Sequence, residues 1–257
     1  YKRQVLGDQI IQICKMIKAF IVIITLLVVS CTTIETKVES PANIPIDENI
    51  KFINYLDNDW ENNLIKNPLF ASYVGDKRFN DKINSNSIDQ FLNQKNSYKD
   101  SLKILQDIDI SKLSDSNKLN YKLKEFGLMS NIGPDFPVYY LRLNQRGGIQ
   151  SFYETGNRLV YSSKKDYYDW YSRLKQFSSN IYSSLEINKA GLENNITQPK
   201  LVTKAVILQI NSILNSNIEE NPYLKVFKNA DESFFLPNEK KLLIENVKNL
   251  IENEINP

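Results

Sequence analysis

A chain of 257 residues is long enough for one large domain or two small ones with a real buried core. Lys+Arg 32 against Asp+Glu 30 leaves +2, and the basic residues are scattered, so nothing points to a nucleic-acid partner. The absence of His excludes Ser-His and Cys-His catalytic pairs and His-containing zinc sites.

Both cysteines, Cys14 and Cys31, lie in or before an N-terminal apolar segment. The folded body therefore has neither a structural disulfide nor a Cys-based metal cluster. An all-carboxylate site for a hard cation stays open on composition, but no EF-hand-like spacing occurs.

Lys15 to Lys18 is basic, Ala19 to Val29 is unbroken apolar, and Ser30-Cys31 follows. This is the layout of a secretory signal, and Val28-Val29-Ser30-Cys31 resembles a bacterial lipobox. The apolar run is too short for the roughly 20 residues of a spanning helix. Residues 1–15 are then an upstream extension before the start at Met16, 16–30 a signal peptide, and 31–45 a flexible tether behind acylated Cys31. The expected location is the cell envelope, lipid-anchored on the periplasmic or extracellular side, with 46–257 as the body.

In the body, Asp47 to Lys66 places Ile50, Ile53, Leu56, Trp60 and Leu64 on one helical face, and Pro68 ends the helix. Leu69 to Ile83 reads as a turn-rich link. Ser87-Ile88-Asp89-Gln90 opens a helix to about Asp107 with Ile88, Leu92, Leu102 and Leu105 inward. Ser114 caps a third helix with Leu119, Leu123, Phe126 and Met129 as its core face, stopped by Gly133-Pro134-Asp135-Phe136-Pro137.

Val138 to Leu143 has strand-like composition, and Asn144-Gln145-Arg146-Gly147-Gly148 follows as a glycine turn. A helix from Lys164 to about Asn188 is expected to bury Tyr167, Tyr171, Leu174, Ile181 and Leu185. Thr197 and Pro199 mark a further helix with Leu201, Ala205, Leu208 and Ile213 along its face. Asn238 to Glu254 closes the series with Leu242, Leu243, Val247, Leu250 and Ile251. The fold class is mainly α, a multi-helix domain with one or two short strands around 138–143.

Most residues that look chemical have a simpler reading. Ser162/Lys165 and Ser172/Lys175 match Ser-x-x-Lys, but the companion Lys-Thr-Gly is missing and chance matches are expected in a chain rich in both residues. Asp107/Asp109 and Glu219/Glu220 sit at polar helix ends, where solvated caps are the default. Tyr161, Tyr167, Tyr168, Trp170 and Tyr171 read as core aromatics with polar tips. No catalytic residue and no metal ligand is assigned. The glycine turn is harder to dismiss, because a plain hairpin explains its glycines but not its run of hydrogen-bonding side chains. Asn144, Gln145, Gly147 and Gly148 are the candidate substrate-binding residues, one edge of a cleft suited to extended peptide.

Taken together, Leu143-Asn144-Gln145-x-Gly147-Gly148, Lys165-Asp166-Tyr167-x-x-Trp170-x-x-Arg173-Leu174, Gly191 and Pro199 resemble the bacterial domain of unknown function family 885. Asn67-Pro68-x-x-Ala71-x-x-x-Gly75-Asp76-x-Arg78-Phe79 fits that family's N-terminal portion. The resemblance implies a relative of helical, thermolysin-like zinc peptidases, many of them lipoproteins, in which zinc-activated water attacks a peptide carbonyl. The family's His-Glu-x-x-Gly-His-His-like motif has no counterpart here, so no cofactor is assigned to this chain and zinc is implied only for full-length members. The resemblance thus implies the N-terminal part of a larger helical zincin-like peptidase, inactive alone. Its partners are a membrane through Cys31 and, in the full-length protein, a peptide substrate. Such a part should expose apolar surface on its last two helices, where the remainder docks. The alternative is a non-catalytic envelope lipoprotein acting as a binding or structural module.

Overall fold

The computed structural model describes residues 47–133 and 137–256. The expected signal peptide, Cys31 and the tether lie outside the described residues, as do Pro134, Asp135 and Phe136 of the expected helix stop. The main helices are α1 (Glu48–Lys66), α2 (Pro68–Tyr73), α3 (Ile88–Gln106), α4 (Asp115–Ile132), α5 (Tyr153–Arg158), α6 (Lys164–Glu193), α7 (Lys200–Leu214), α8 (Lys225–Lys228) and α9 (Glu239–Leu250). A π-helical turn, Ile251–Ile255, extends α9. None of the described helices is long and apolar enough to cross a membrane.

Helix starts follow local chemistry. The Asp47 carboxylate accepts the Asn49 N–H at 2.7 Å, Ser87 Oγ the Gln90 N–H at 3.2 Å, and Ser114 Oγ the Asn117 N–H at 3.3 Å. Asn67 ends α1, but Pro68 does more than stop it. It opens α2 at the first helical position, where its missing N–H costs nothing, so part of the expected link is helix.

Two apolar clusters form. Phe52, Tyr55, Leu105, Ile108, Leu113, Tyr121 and Leu128 join α1, α3 and α4. Tyr167, Trp170, Leu174, Phe177, Leu224, Phe227, Leu243, Val247 and Ile251 join α6, α8, α9 and the π turn.

Several predicted faces are rotated from the observed ones. On α1, Leu64 is buried, but Ile50, Ile53 and Trp60 are about half exposed and Phe52 and Tyr55 take the core. The aromatic pair wins because Phe52 packs on Tyr121 (centroids 6.0 Å) and the Tyr55 hydroxyl shares a 2.8 Å hydrogen bond with Ser101. On α4 the whole predicted face, Leu119, Leu123, Phe126 and Met129, points to solvent, while Tyr121 and Leu128 face inward. On α3, Leu105 is buried but Leu92 is exposed. On α6, Tyr167 and Leu174 are buried and Leu185 is half exposed. On α7, Val206 is buried while Leu201 and Leu208 are exposed.

The strand expected around 138–143 is absent. Val138–Leu141 is a turn of 3-10 helix, and no strand occurs among the described residues. Among the described residues no second extended segment pairs with it. Instead Tyr139 stacks on Phe91 at 5.8 Å and meets Tyr140 edge-on at 4.6 Å, while the Leu141 carbonyl accepts from the Gln198 amide. Side-chain volume, useful to a strand, is equally satisfied by this packed turn.

A polar ladder on α6 ties the clusters together. The fully buried Arg173 guanidinium donates to the carbonyls of Lys82 (2.9 Å), Pro68 (3.2 Å) and Phe79 (3.1 Å) and to Ser72 Oγ (2.6 Å). One turn on, the Gln176 amide accepts the Ile83 N–H at 3.3 Å and donates to the Asp81 carbonyl at 2.6 Å. Asn180 then accepts the Asn86 N–H at 3.0 Å and donates to the Asn84 carbonyl at 2.8 Å. At positions i, i+3 and i+7 these side chains share a face and give the 79–86 segment the backbone partners a sheet would otherwise supply.

Buried phenols give the fold an alkaline limit. Burial raises Tyr55 to about 12 from an ordinary 10.0 and pushes Tyr161 and Tyr223 higher still. A folded-state pKa above the unfolded one contributes stability that is complete below about pH 10 and is lost as pH rises toward 12. Melting temperature is therefore expected to fall steeply above pH 10, together with the appearance of phenolate absorbance. A flat profile there would remove these tyrosines from the core.

Candidate functional site

The Arg142–Gln150 loop, the 83–86 segment and one side of α6 enclose a cavity of about 440 Å³. Its apolar lining includes Leu141, Leu143, Ile149, Phe152 and Phe177, and its polar lining is mainly amides: Asn84, Asn86, Asn144, Gln150, Asn180 and Asn188. Among the described residues, Arg142 is the only cation in the lining, and there is no carboxylate. Burial pushes the Arg142 guanidinium below its ordinary value. It lies 3.7 Å over the Phe91 ring and donates to Asn86 Oδ1 at 3.2 Å.

Of the four candidate residues, Asn144, Gly147 and Gly148 line this cavity and Gln145 does not. The Gln145 carbonyl instead accepts from Gln209 Nε2 at 2.9 Å, pinning the loop to α7. Asn144 Oδ1 accepts the Arg146 N–H at 2.9 Å, an Asx turn that sets the loop's curvature. The two glycines differ. At Gly148, with φ +155°, a Cβ would sit 2.8 Å from Gln150 Oε1, whereas at Gly147 nothing lies within 4 Å. Only Gly148 is required by the backbone and by a close neighbour.

Gln150 was not singled out by its sequence, yet it is the buried centre of the loop. Its Nε2 donates to the Asn144 carbonyl at 2.8 Å and to Gln209 Oε1 at 3.0 Å, while its Oε1 is buried with no partner among the described residues. Asn180, equally missed, is both a rung of the α6 ladder and part of the cavity wall. A Gln two residues after paired glycines and an Asn seven residues after Arg173 were the available signals. Both look like solvated polar residues until their partners, 59 and 96 positions away in the chain, are known.

The other sequence candidates resolve into structure. Ser162 lies far from using Lys165, whose Nζ binds Asp169 at 2.6 Å. Ser162 Oγ donates to Asp166 Oδ2 at 3.1 Å and accepts from Lys77 Nζ at 2.7 Å, and that lysine also binds the Asp166 carboxylate at 3.0 Å. Such a lysine serves as a donor in a cap, not as a base for a nucleophile. Burial alone would raise the Asp166 pKa, but the Ser162 N–H, Lys77 and the Ser163 hydroxyl outweigh it and hold the carboxyl below its ordinary value.

Lys175 of the other Ser-x-x-Lys match sits over the Tyr171 ring at 4.8 Å. Asp109 accepts from Ser111 and pairs with Lys112, and Glu219 pairs with Lys228 and Lys248, so these acids are helix-end and surface contacts. Tyr167 and Trp170 are core, and Tyr161 stacks on Tyr167 at 4.6 Å while its hydroxyl donates to the Gly156 carbonyl.

Among the described residues no group of three or more His, Cys, Asp or Glu side chains comes together to hold a metal, and the chain has no His. The donor set of a peptidase zinc centre is therefore not met by these residues, and the cavity's chemistry is amide hydrogen bonding beside an apolar wall.

No curated protein matches the chain. Its fold matches the crystal structure described as "the putative lipoprotein from Colwellia psychrerythraea" with a TM-score of 0.67 at 16% identity. That match covers 82% of this chain and 39% of the other, so this chain spans well under half the length of that protein. The motif blocks around Pro68–Phe79 and Lys165–Leu174, which Arg173 joins in space, fall inside a family model that matches residues 68–257. By that match the chain belongs to the family described as bacterial protein of unknown function (DUF885).

Proposed function

We propose that this chain is the N-terminal portion of a lipid-anchored envelope protein whose complete form is a zinc-dependent peptidase, and that the described helices supply one wall of its substrate cleft. Cys31 is the acylated anchor, residues 31–45 the tether and 46–257 the helical portion. The observation that carries the reading is the cavity beside Asn144 and Gly148. Its neutral amides and apolar side chains suit an extended peptide backbone, and it offers no group able to activate water.

The exposed leucines of α7, Leu201 and Leu208, support docking of further chain there, as expected for the last two helices. On α9 only Leu242 faces out, because Leu243, Val247 and Leu250 already enter the second core cluster. The length of the matched lipoprotein, and the word "lipoprotein" in its description, point the same way.

Tested alone from Ile46 onward, the protein is expected to hold no zinc tightly after dialysis and to leave peptides uncut. Metal-dependent turnover by this portion would overturn the assignment. The carboxylate-free cavity equally suits a non-catalytic binding module of the envelope. The coding sequence beyond Pro257 separates the two: a continuing frame with a His-Glu zinc motif supports the peptidase, and a frame without one supports the binding module.

A further inference from the structure

The face of α4 that its sequence marks as core is solvent-exposed along its whole length. Leu119, Leu123, Phe126 and Met129 follow one another at three- and four-residue steps, so they form one stripe about 15 Å long, at 1.5 Å per residue. Each is at least 59% exposed, Phe126 most of all at 71%. The opposite side of α4 is already satisfied by Tyr121 and Leu128 in the first core cluster. We propose that this stripe rests on the lipid surface to which Cys31 tethers the chain, which fixes the orientation of the helical body on the bilayer. The proposal rests on the lipoprotein reading given above.

Where the tether joins the body favours lipid as the occupant. Asp47 caps α1, and the next residues of α1 are bonded to the start of α4. Asn49 Oδ1 accepts the Ser114 N–H at 2.9 Å and the Asn117 side-chain amide at 3.0 Å, and Glu48 Oε2 accepts the Asp109 N–H at 3.0 Å. The 15 residues from 32 to 46 can reach at most about 50 Å. Helix α4 is itself about 27 Å long, from its 18 residues. An acylated Cys31 therefore holds a bilayer within constant reach of the stripe, at a high effective concentration that no dissolved partner matches.

The side-chain pattern agrees. Lys122 is exposed beside Leu123, and Lys118, paired with Asp115, stands next to Leu119. An apolar stripe carrying Phe and Leu with flanking lysines is what an interfacial helix presents to anionic headgroups.

The test uses the full, processed chain in phosphatidylethanolamine–phosphatidylglycerol vesicles, with acylation of Cys31 confirmed by mass. A bimane label on Phe126→Cys is expected to lose at least about half its emission when the lipids carry brominated acyl chains, as for a side chain seated at the acyl boundary. The same label on Leu208→Cys of α7 should be spared. Adding Leu123→Asp and Met129→Asp should restore the emission at 126 while leaving the melting temperature within a few degrees, since neither side chain supports the core. An unquenched label on an acylated protein overturns the proposal alone and leaves the lipoprotein reading standing. Equal quenching at 126 and 208 overturns it too, as does an unquenched label with a doubled particle mass, which would give the stripe to a second copy. An unacylated Cys31 overturns both readings.

Discussion

Replacing Arg173 by Met is expected to cost about 4 kcal/mol, a large share of the roughly 5–15 kcal/mol of an ordinary domain, and to be read as a large drop in the urea midpoint at unchanged slope. Met keeps the apolar stem out to the position of Nε, so the change removes the guanidinium head with its hydrogen bonds and part of its volume. The carbonyls of Pro68, Phe79 and Lys82 and the Ser72 hydroxyl would all lose a charged donor; Pro68 keeps Ser72 Oγ and Phe79 keeps the Lys82 N–H, so the Lys82 carbonyl bears the largest loss. Each buried polar group left unpaired costs about 1–3 kcal/mol. The guanidinium's own desolvation, visible as a pKa pushed down to about 10, is recovered on removal and offsets part of the loss. Lys at 173 should rescue little, because one ammonium cannot serve both the three acceptors gathered on Nη2 and the Lys82 carbonyl on Nε. A variant losing under about 1 kcal/mol would show that the 68–82 segment is held by something other than this clamp.

Gly156→Ala should be the second severe change, at about 2–3 kcal/mol, although it adds a single methyl group. A Cβ at 156 would lie 2.5 Å from Cε2 and Cζ2 of Trp170, well inside contact distance. Trp170 is 1% exposed and stacked on Phe152 at 5.3 Å, and Phe152 stacks on Phe177 at 4.2 Å. Moving the indole would disturb its stacking on Phe152, so either α5 shifts or the aromatic stack opens. Near-UV circular dichroism should change along with the melting temperature. Gly147→Ala is the matched control, since its Cβ meets nothing within 4 Å and its loss should stay below about 0.5 kcal/mol. If the two alanines behave alike, the contact with Trp170 is not rigid.

These two positions also explain the resemblance motifs in physical terms. Lys165 to Leu174 supplies the Asp166 cap, the Trp170 core and the Arg173 clamp, and Asn67 to Phe79 supplies the carbonyls the clamp binds. Asp76 and Arg78 close the turn between them, with Gly75 at φ +92° and the Arg78 guanidinium reaching Glu61 at 2.6 Å. Gly191 is fixed in the same way: a Cβ there would be 2.7 Å from the Ile196 carbonyl oxygen and 3.3 Å from Tyr140. What these motifs supply is the joint between two helical clusters, while the Leu143–Gly148 loop and, from the earlier block, Leu69 also line the cavity.

The sequence by itself determined where helices begin and that they dominate. A Ser or Asp side chain acts on N–H groups two or three residues away, and Asp47, Ser87 and Ser114 behave as their neighbours alone require, whereas Pro68, read as a stop, opens a helix as well. It also determined that imidazole chemistry is absent, and it found three of the cavity's residues through a glycine turn. Tertiary structure alone decided which face of each helix goes inward. Periodicity shows that α4 has an apolar stripe, but Tyr121 and Leu128 found partners across α1 and α3 and the stripe did not. It likewise decided that Arg173, Gln176 and Asn180, polar at helical spacing and so apparently a solvated face, lie inside the fold. Their acceptors stand more than 90 residues away in the chain, and no local pattern can encode a partner at that distance.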